Sequence, residues 1–165
     1  MVKRQIFFSF HFDMDHWRAG QVRNMGKVSE SSTFSDNDWE EVKLKSDTVI
    51  KKWINDQMQM RSCLIVLIGT QTSRRKWITY EIEKAYELGK GIVGIYIHNL
   101  KDEKSNQTTK GSNPFFNILN KDGMRLSNFV TAYDPQYSIS NKVYEDIENN
   151  MEQLIEDAIA TKGTY

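Results

Sequence analysis

The run Cys63-Leu-Ile-Val-Leu-Ile68, closed by Gly69, limits the possible folds more than any other stretch of the chain. An uninterrupted apolar run has no polar face to give to water. As a strand it must be covered on both sides, which is the condition of a central strand in a parallel sheet. Its length and the flanking Ser62 and Gly69 argue for a strand over a helix. Gly91–Ile97 is a second run of this kind and Gln5–Phe10 a shorter third. Thr33–Ser35 reads as a very short strand and Phe129–Tyr133 as a last one.

Helical patterns fill the intervals. Asp15–Val28 offers Trp17, Val22 and Met25 to a core. Ser29–Ser32 reads as a loop, and Asp36 or Asp38 as the N-cap of a helix starting near Trp39. Ser46–Met58 places Val49, Trp53 and Ile54 on one side. Lys76–Leu88 carries a stripe of Ile78, Ile82, Ala85 and Gly89. Asn141–Ala160 repeats Val143, Ile147, Met151, Leu154 and Ala158 at a helical period. Strands alternating with helices predict an α/β fold, a flavodoxin-like or TIR-like parallel sheet of about five strands flanked by helices. No repeat or linker interrupts the pattern, so residues 1–165 are expected to form one domain.

Composition excludes several classes. At 39% hydrophobic and 27% charged residues, with two prolines, the chain is globular in type. Lys+Arg and Asp+Glu both number 22, so the basic excess of a nucleic-acid binder is missing. The lone cysteine, Cys63, sits inside the apolar run and reads as a small core residue, in keeping with a reducing, cytoplasmic setting. No apolar run approaches the roughly 20 residues of a membrane span. The basic start, Met1–Gln5, is followed by too short an apolar stretch for a signal peptide.

Ligands of open parallel sheets bind beyond the carboxyl ends of the strands. Ser9-Phe10-His11, Gly69-Thr70-Gln71 and His98-Asn99 reach that rim. The helix after Thr70 starts there too, where its N-terminus would favour a phosphate. Glu81 shares a helix face with Trp77, Lys84 and Leu88. Spacing alone makes it a solvated acid paired with Lys84, whereas shelter by Trp77 and Tyr80 would raise its pKa. Ser9 on spacing alone is a strand-end turn residue. The basic cluster Arg74-Arg75-Lys76 reads as solvated, with anion binding as the alternative. The loop Leu100–Asn113 reads as solvated from its polarity, with a cover over the site as the alternative.

Two motifs mislead. Gly89-Lys-Gly-Ile-Val-Gly94 matches G-x-G-x-x-G, but it leaves a helix and enters a strand, the reverse of a dinucleotide fingerprint. Its glycines read as a helix C-cap and a tight turn. His11-Phe-Asp-Met-Asp-His16 invites a metal, yet its spacing fits no known ligand set, and no metal site is expected.

Four segments carry a resemblance. Phe7-Phe8-Ser9-Phe10-His11 resembles the first box of Toll/interleukin-1 receptor (TIR) domains. Val22-Arg23-Asn24, Leu67–Thr72 with Arg75–Ile82, and Lys110–Phe115 are similar to the TIR-like proteins of bacterial Thoeris anti-phage systems. The likeness covers about residues 3–116, and Trp77-x-x-Tyr80-Glu81-Ile82 is its most specific piece. The resemblance implies an NAD⁺-cleaving enzyme that makes a cyclic ADP-ribose isomer or a related ADP-ribose conjugate. That signal would activate a downstream effector. It implies Glu81 as the catalytic acid and Phe8, Ser9, Phe10, His11, Thr70 and Trp77 as substrate-binding residues. NAD⁺ would be substrate, so no cofactor is called for, and assembly into a homo-oligomer is in keeping with TIR catalysis. The competing reading is a non-catalytic TIR-like interaction module, which would have no need of an acid at position 81. A receiver domain would need acids at the end of the first strand, and Asp13 and Asp15 lie past it.

Overall fold

The computed structural model describes residues 3–29 and 36–165. Its sheet consists of β1 (Ile6–Ser9), β2 (Cys63–Ile68), β3 (Gly91–Tyr96) and β4 (Ala132–Tyr133), all parallel and side by side in chain order. Helices α1 (Phe12–Arg23), α2 (Asp36–Val42), α3 (Asp47–Gln59), α4 (Lys76–Glu87) and α5 (Ser140–Thr161), with two short 3₁₀ turns at Thr72–Arg74 and Leu126–Asn128, complete the described elements. Among the described residues the sheet has four strands rather than about five. The expected strand Thr33–Ser35 and most of the expected loop Ser29–Ser32 lie outside them.

The two-residue alternation of a strand divides β2 between two cores. Cys63, Ile65 and Leu67 face α1 and α5, where Ala19, Val22, Val143, Ile147, Met151 and Ile155 meet them. Leu64, Val66 and Ile68 face α3 and α4, against Ile50, Ile54, Met58, Ile78, Ile82 and Ala85. Every residue of β2 is buried, as its composition demands, and each fully buried Leu or Ile contributes about 1.5–3 kcal/mol. Close packing explains two of the strand glycines. A Cβ on Gly91 would lie 3.0 Å from the Ala158 carbonyl carbon, and one on Gly94 would lie 2.8 Å from both Ile68 and Phe115. At Gly89, φ of 67° ends α4, with Lys90 N–H donating to Ala85 O at 2.9 Å and Gly89 N–H to Tyr86 O at 3.1 Å. That is a Schellman cap, and it accounts for the first glycine of the misleading motif.

Several helix expectations change. Trp17 is 52% exposed, because α1 turns Ala19 and Val22 to the sheet and Trp17 away from it. On α3 the buried set is Ile50, Ile54 and Met58, which leaves Val49 exposed and Trp53 half-buried, and the helix is capped by Ser46 accepting from Val49 N–H at 3.4 Å. Asp36 and Asp38 lie within the first turn of α2 and not before it. On α5, Ile155 takes the buried place expected of Leu154, which packs at the edge of that core. The last strand shrinks to Ala132–Tyr133. No described helix is long and apolar enough to cross a membrane.

Candidate active site

The carboxyl edge of the sheet carries two different structures. The first is a cleft of about 490 Å³, within the usual size of a small-ligand site. Phe10, His11, Phe12 and Asp13 line it from the exit of β1, Trp39, Lys43 and Leu44 from α2 and the residues after it, and Arg75, Lys76, Trp77, Ile78 and Glu81 from α4.

Glu81 is placed by the packing of its helix. Ile78, Ile82 and Ala85 lock one stripe of α4 onto the sheet, which fixes its rotation. Trp77 and Glu81, one turn apart, then share the adjoining face and meet the end of β1. Glu81 is 6% exposed, and Ser9, paired with Val66 in the sheet and buried, donates its hydroxyl to Glu81 Oε1 at 3.4 Å. Burial pushes the Glu81 carboxyl well above the usual carboxylate range, with the Ser9 bond pulling weakly the other way. The solvated reading of Glu81 is therefore overturned, since β1 and Trp77 take the place of water. Lys84 pairs instead with Glu87 at 3.1 Å. Ser9, expected on spacing alone as a strand-end turn residue, is the last residue of β1 and is buried.

Of the residues the resemblance pointed to, the structure brings Phe10, His11, Trp77 and Glu81 into the cleft wall, with Ser9 behind Glu81. Phe8 is buried in the α1–α5 core and reaches only a small cavity of about 20 Å³ beside Glu81. Thr70 is not part of the cleft wall; its hydroxyl donates to Thr109 O at 2.5 Å. Trp39, Lys43 and Leu44 join the site with no warning from local sequence, because their contact with it is made across the fold. Lys43 lies over the Phe12 ring at 5.1 Å and pairs with Glu40 at 3.0 Å and Asp13 at 3.4 Å. Lys76 lies over the Trp77 ring at 4.7 Å and pairs with Asp47.

His11 is 8% exposed and its Nδ1 has no hydrogen-bond partner among the described residues. Burial and the nearby Arg75 guanidinium hold its pKa below the ordinary imidazole value. The acids and histidines of His11–His16 do not converge. His16 stacks on Phe12, Asp13 faces Lys43 and Asp15 points away into the protein. No group of three metal-ligating side chains gathers among the described residues.

The second structure at the edge is a latch. Asp15, 1% exposed, meets the equally buried Arg18 guanidinium at 3.2 Å. Arg18 also donates to Leu100 O and Asn106 O, both at 2.8 Å. The chain 100–113 is thereby held by its backbone, and it does not line the cleft. Its polarity describes only its outward side chains. Gly111 fits here because a Cβ would come within 2.2 Å of Gly69 O.

Fold and cleft together define a parallel α/β domain with a cleft of small-ligand size at the carboxyl edge of its sheet, beside the buried Glu81. The profile of the family described as Thoeris protein ThsB, TIR-like domain, matches residues 7–102, and the chain belongs to that family. It is also 42% identical over 120 residues to a Bacillus cereus (strain MSX-D12) protein provisionally named cyclic ADP-D-ribose synthase ThsB1. That match takes in 70% of the chain, which spans 62% of the relative's length.

Proposed function

We propose that this protein binds NAD⁺ in the cleft, breaks the bond between nicotinamide and ribose at Glu81, and closes the remainder into a cyclic ADP-ribose-type signal. The observation that carries the reading is the burial of Glu81 on the cleft wall, with a serine hydroxyl as its only hydrogen-bond partner among the described residues. Such an acid is costly to keep, and strongly perturbed acids cluster at functional sites. The name of the Bacillus cereus relative supports the same chemistry.

Each step follows from the groups present. Nicotinamide leaves a pyridinium as a neutral base, so the departure needs no general acid. The ribose left behind is an oxocarbenium-like cation. The cationic substrate draws the Glu81 carboxyl towards its ionised form, and the carboxylate then stabilises the developing charge. Trp77, Phe10 and Trp39 supply aromatic walls for planar rings. A hydroxyl from the adenosine end, held near C1′, attacks in place of water, forming the new C–O bond and releasing one proton. The product acts in the cytoplasm on a downstream effector, and assembly into a homo-oligomer completes the working enzyme.

The test is mass spectrometry of NAD⁺ incubated with the protein, and of lysates from phage-infected cells expressing it, each against Glu81→Gln. Nicotinamide with a cyclic or conjugated ADP-ribose product, lost in Glu81→Gln, is the expected result. No product in either setting from folded protein would favour a non-catalytic interaction module.

A further inference from the structure

We propose that the aromatic chamber behind Glu81, closed from the rear by Trp53, keeps water from the reacting ribose carbon and so makes the product cyclic rather than linear. This rests on the NAD⁺ reading above and adds to it the residues that set the product.

Two spaces meet at Glu81. The cleft of about 490 Å³ lies in front and the cavity of about 20 Å³ behind. Phe10, Trp39 and Glu81 line both and form the partition between them. Phe7, Phe8 and Trp53 line the rear space and not the cleft. The first two are buried residues of β1. Trp53 is set by α3, whose buried stripe of Ile50, Ile54 and Met58 fixes the rotation of the helix. Its indole meets that of Trp39 with ring centroids 6.0 Å apart. Tyr80 OH donates to Asn55 Oδ1 at 2.9 Å, which ties α4, and Glu81 with it, to α3.

The size and the lining of the chamber work in opposite directions. Its volume is enough for one water molecule. A trapped water, however, needs roughly two to four polar partners. Among the six lining side chains Glu81 is the only acceptor, and the other five are aromatic. The chamber therefore disfavours water at the one place where water would be activated. With the cationic substrate bound, Glu81 is a carboxylate, and a water beside it would give up a proton to it while attacking C1′.

Two nucleophiles compete for that carbon. In both routes the bond from C1′ to the nicotinamide nitrogen breaks, and its electron pair leaves with neutral nicotinamide. Attack by water forms a C1′–O bond, passes one proton to Glu81 and gives linear ADP-ribose. Attack by the hydroxyl of the adenosine end forms the bond within the same molecule, releases one proton and closes the ring. Bond breaking is common to both routes. The rear wall thus acts on the ratio of products and far less on the rate of nicotinamide release. Trp53 is a positioning residue in this sense: it touches no substrate and holds the dry side of Glu81 closed.

The experiment uses the full chain with NAD⁺ in isotope-labelled water, the products being separated and weighed by mass spectrometry. Trp53→Leu shortens the rear wall and leaves the cleft lining intact. It is expected to raise the ratio of linear to cyclic product about tenfold or more, with nicotinamide release within about threefold of the parent. The added linear product should carry one labelled oxygen. Trp53→Phe should give a smaller rise. Met58→Ala, on the same helix but outside the chamber lining, should weaken the core and keep the parent's ratio. A second readout needs no turnover: in a carbon-detected NMR titration, the Glu81 carboxyl should titrate closer to the ordinary carboxylate range in Trp53→Leu, because water reaches it. Three results would overturn the proposal: a ratio unchanged in the folded Trp53 variants, an equal rise in Met58→Ala, or a parent that yields mainly linear product. The two readings fail separately. Nicotinamide release lost in Glu81→Gln, with a product ratio indifferent to Trp53, removes the seal and leaves the enzyme. A shifted Glu81 titration in Trp53→Leu, with no nicotinamide release from any form, keeps the seal and removes the enzyme.

Discussion

Two acids lie almost fully buried at the same edge of the sheet, and their surroundings are opposite. Asp15 is met by the Arg18 guanidinium, which also ties down two backbone carbonyls of the chain 100–113. Among the described residues Glu81 has no cation paired with it, only the Ser9 hydroxyl at 3.4 Å. Burial pushes both carboxyls upward, but at Asp15 the Arg18 charge works against the shift, and at Glu81 little does. The first acid is part of a structural joint. The second is matched by no cation among the described residues and lies beside a cleft. Burial alone does not separate the two roles; the partner does.

The contrast can be broken first at the latch. Arg18→Ala strands Asp15 and releases both carbonyls, and is expected to cost about 3–5 kcal/mol in urea denaturation. Pairing it with Asp15→Asn should recover part of that loss, because the stranded charge is gone. Next is Gly111→Ala. The new Cβ meets the Gly69 carbonyl, a backbone atom, so the two chains must part, at about 1–3 kcal/mol. Hydrogen exchange should quicken across residues 100–113 and stay unchanged on α4.

The smaller effects lie at the cleft. Ser9→Ala removes a long and weak bond, so its stability cost should be about 1 kcal/mol or less. Its informative effect is on pH. The Ser9 bond favours the ionised carboxyl, so its loss raises the Glu81 pKa further. The acid limb of kcat/KM for the proposed nicotinamide release is expected above the ordinary carboxylate range, and it should move to higher pH in Ser9→Ala. A limb that stays in place would assign the titration to another group.

Sequence made the sheet legible and the site only in part. The unbroken apolar run Cys63–Ile68 marked a central strand, because a strand with no polar face must be covered on both sides. The Ile78, Ile82 and Ala85 stripe placed α4 for a similar reason. Glu81 was different. Its neighbour on the helix, Lys84, suggested a solvated pair, and it takes the approach of β1, some seventy positions earlier, together with Trp77 to shut water out. Trp39 and Lys43 reach the cleft through a contact of the same long-range kind. Thr70 reaches the rim as its sequence position implies, yet it stands outside the cleft wall, and its hydroxyl is taken by the chain that Arg18 latches. On α1 the expected Val22 is buried, but Trp17 misled because a bulky apolar residue outweighed the small Ala19 that shares the sheet-facing side.

The unmatched acid also carries a signature in stability. Glu81 holds its proton in the fold to higher pH than in the unfolded chain, so its contribution is full below the ordinary carboxylate range and is lost as pH rises through the raised value. Glutamine escapes that loss. The melting temperature of Glu81→Gln should exceed the parent's by a margin that widens with pH and closes in acid.

The most direct measurement combines both faces of this account: nicotinamide release from NAD⁺ and melting temperature, taken on the same preparations of the parent and Glu81→Gln at neutral pH. The account predicts that release falls by at least about a hundredfold while the melting temperature rises. Release that survives the substitution, or is lost together with a fall in melting temperature, would contradict it.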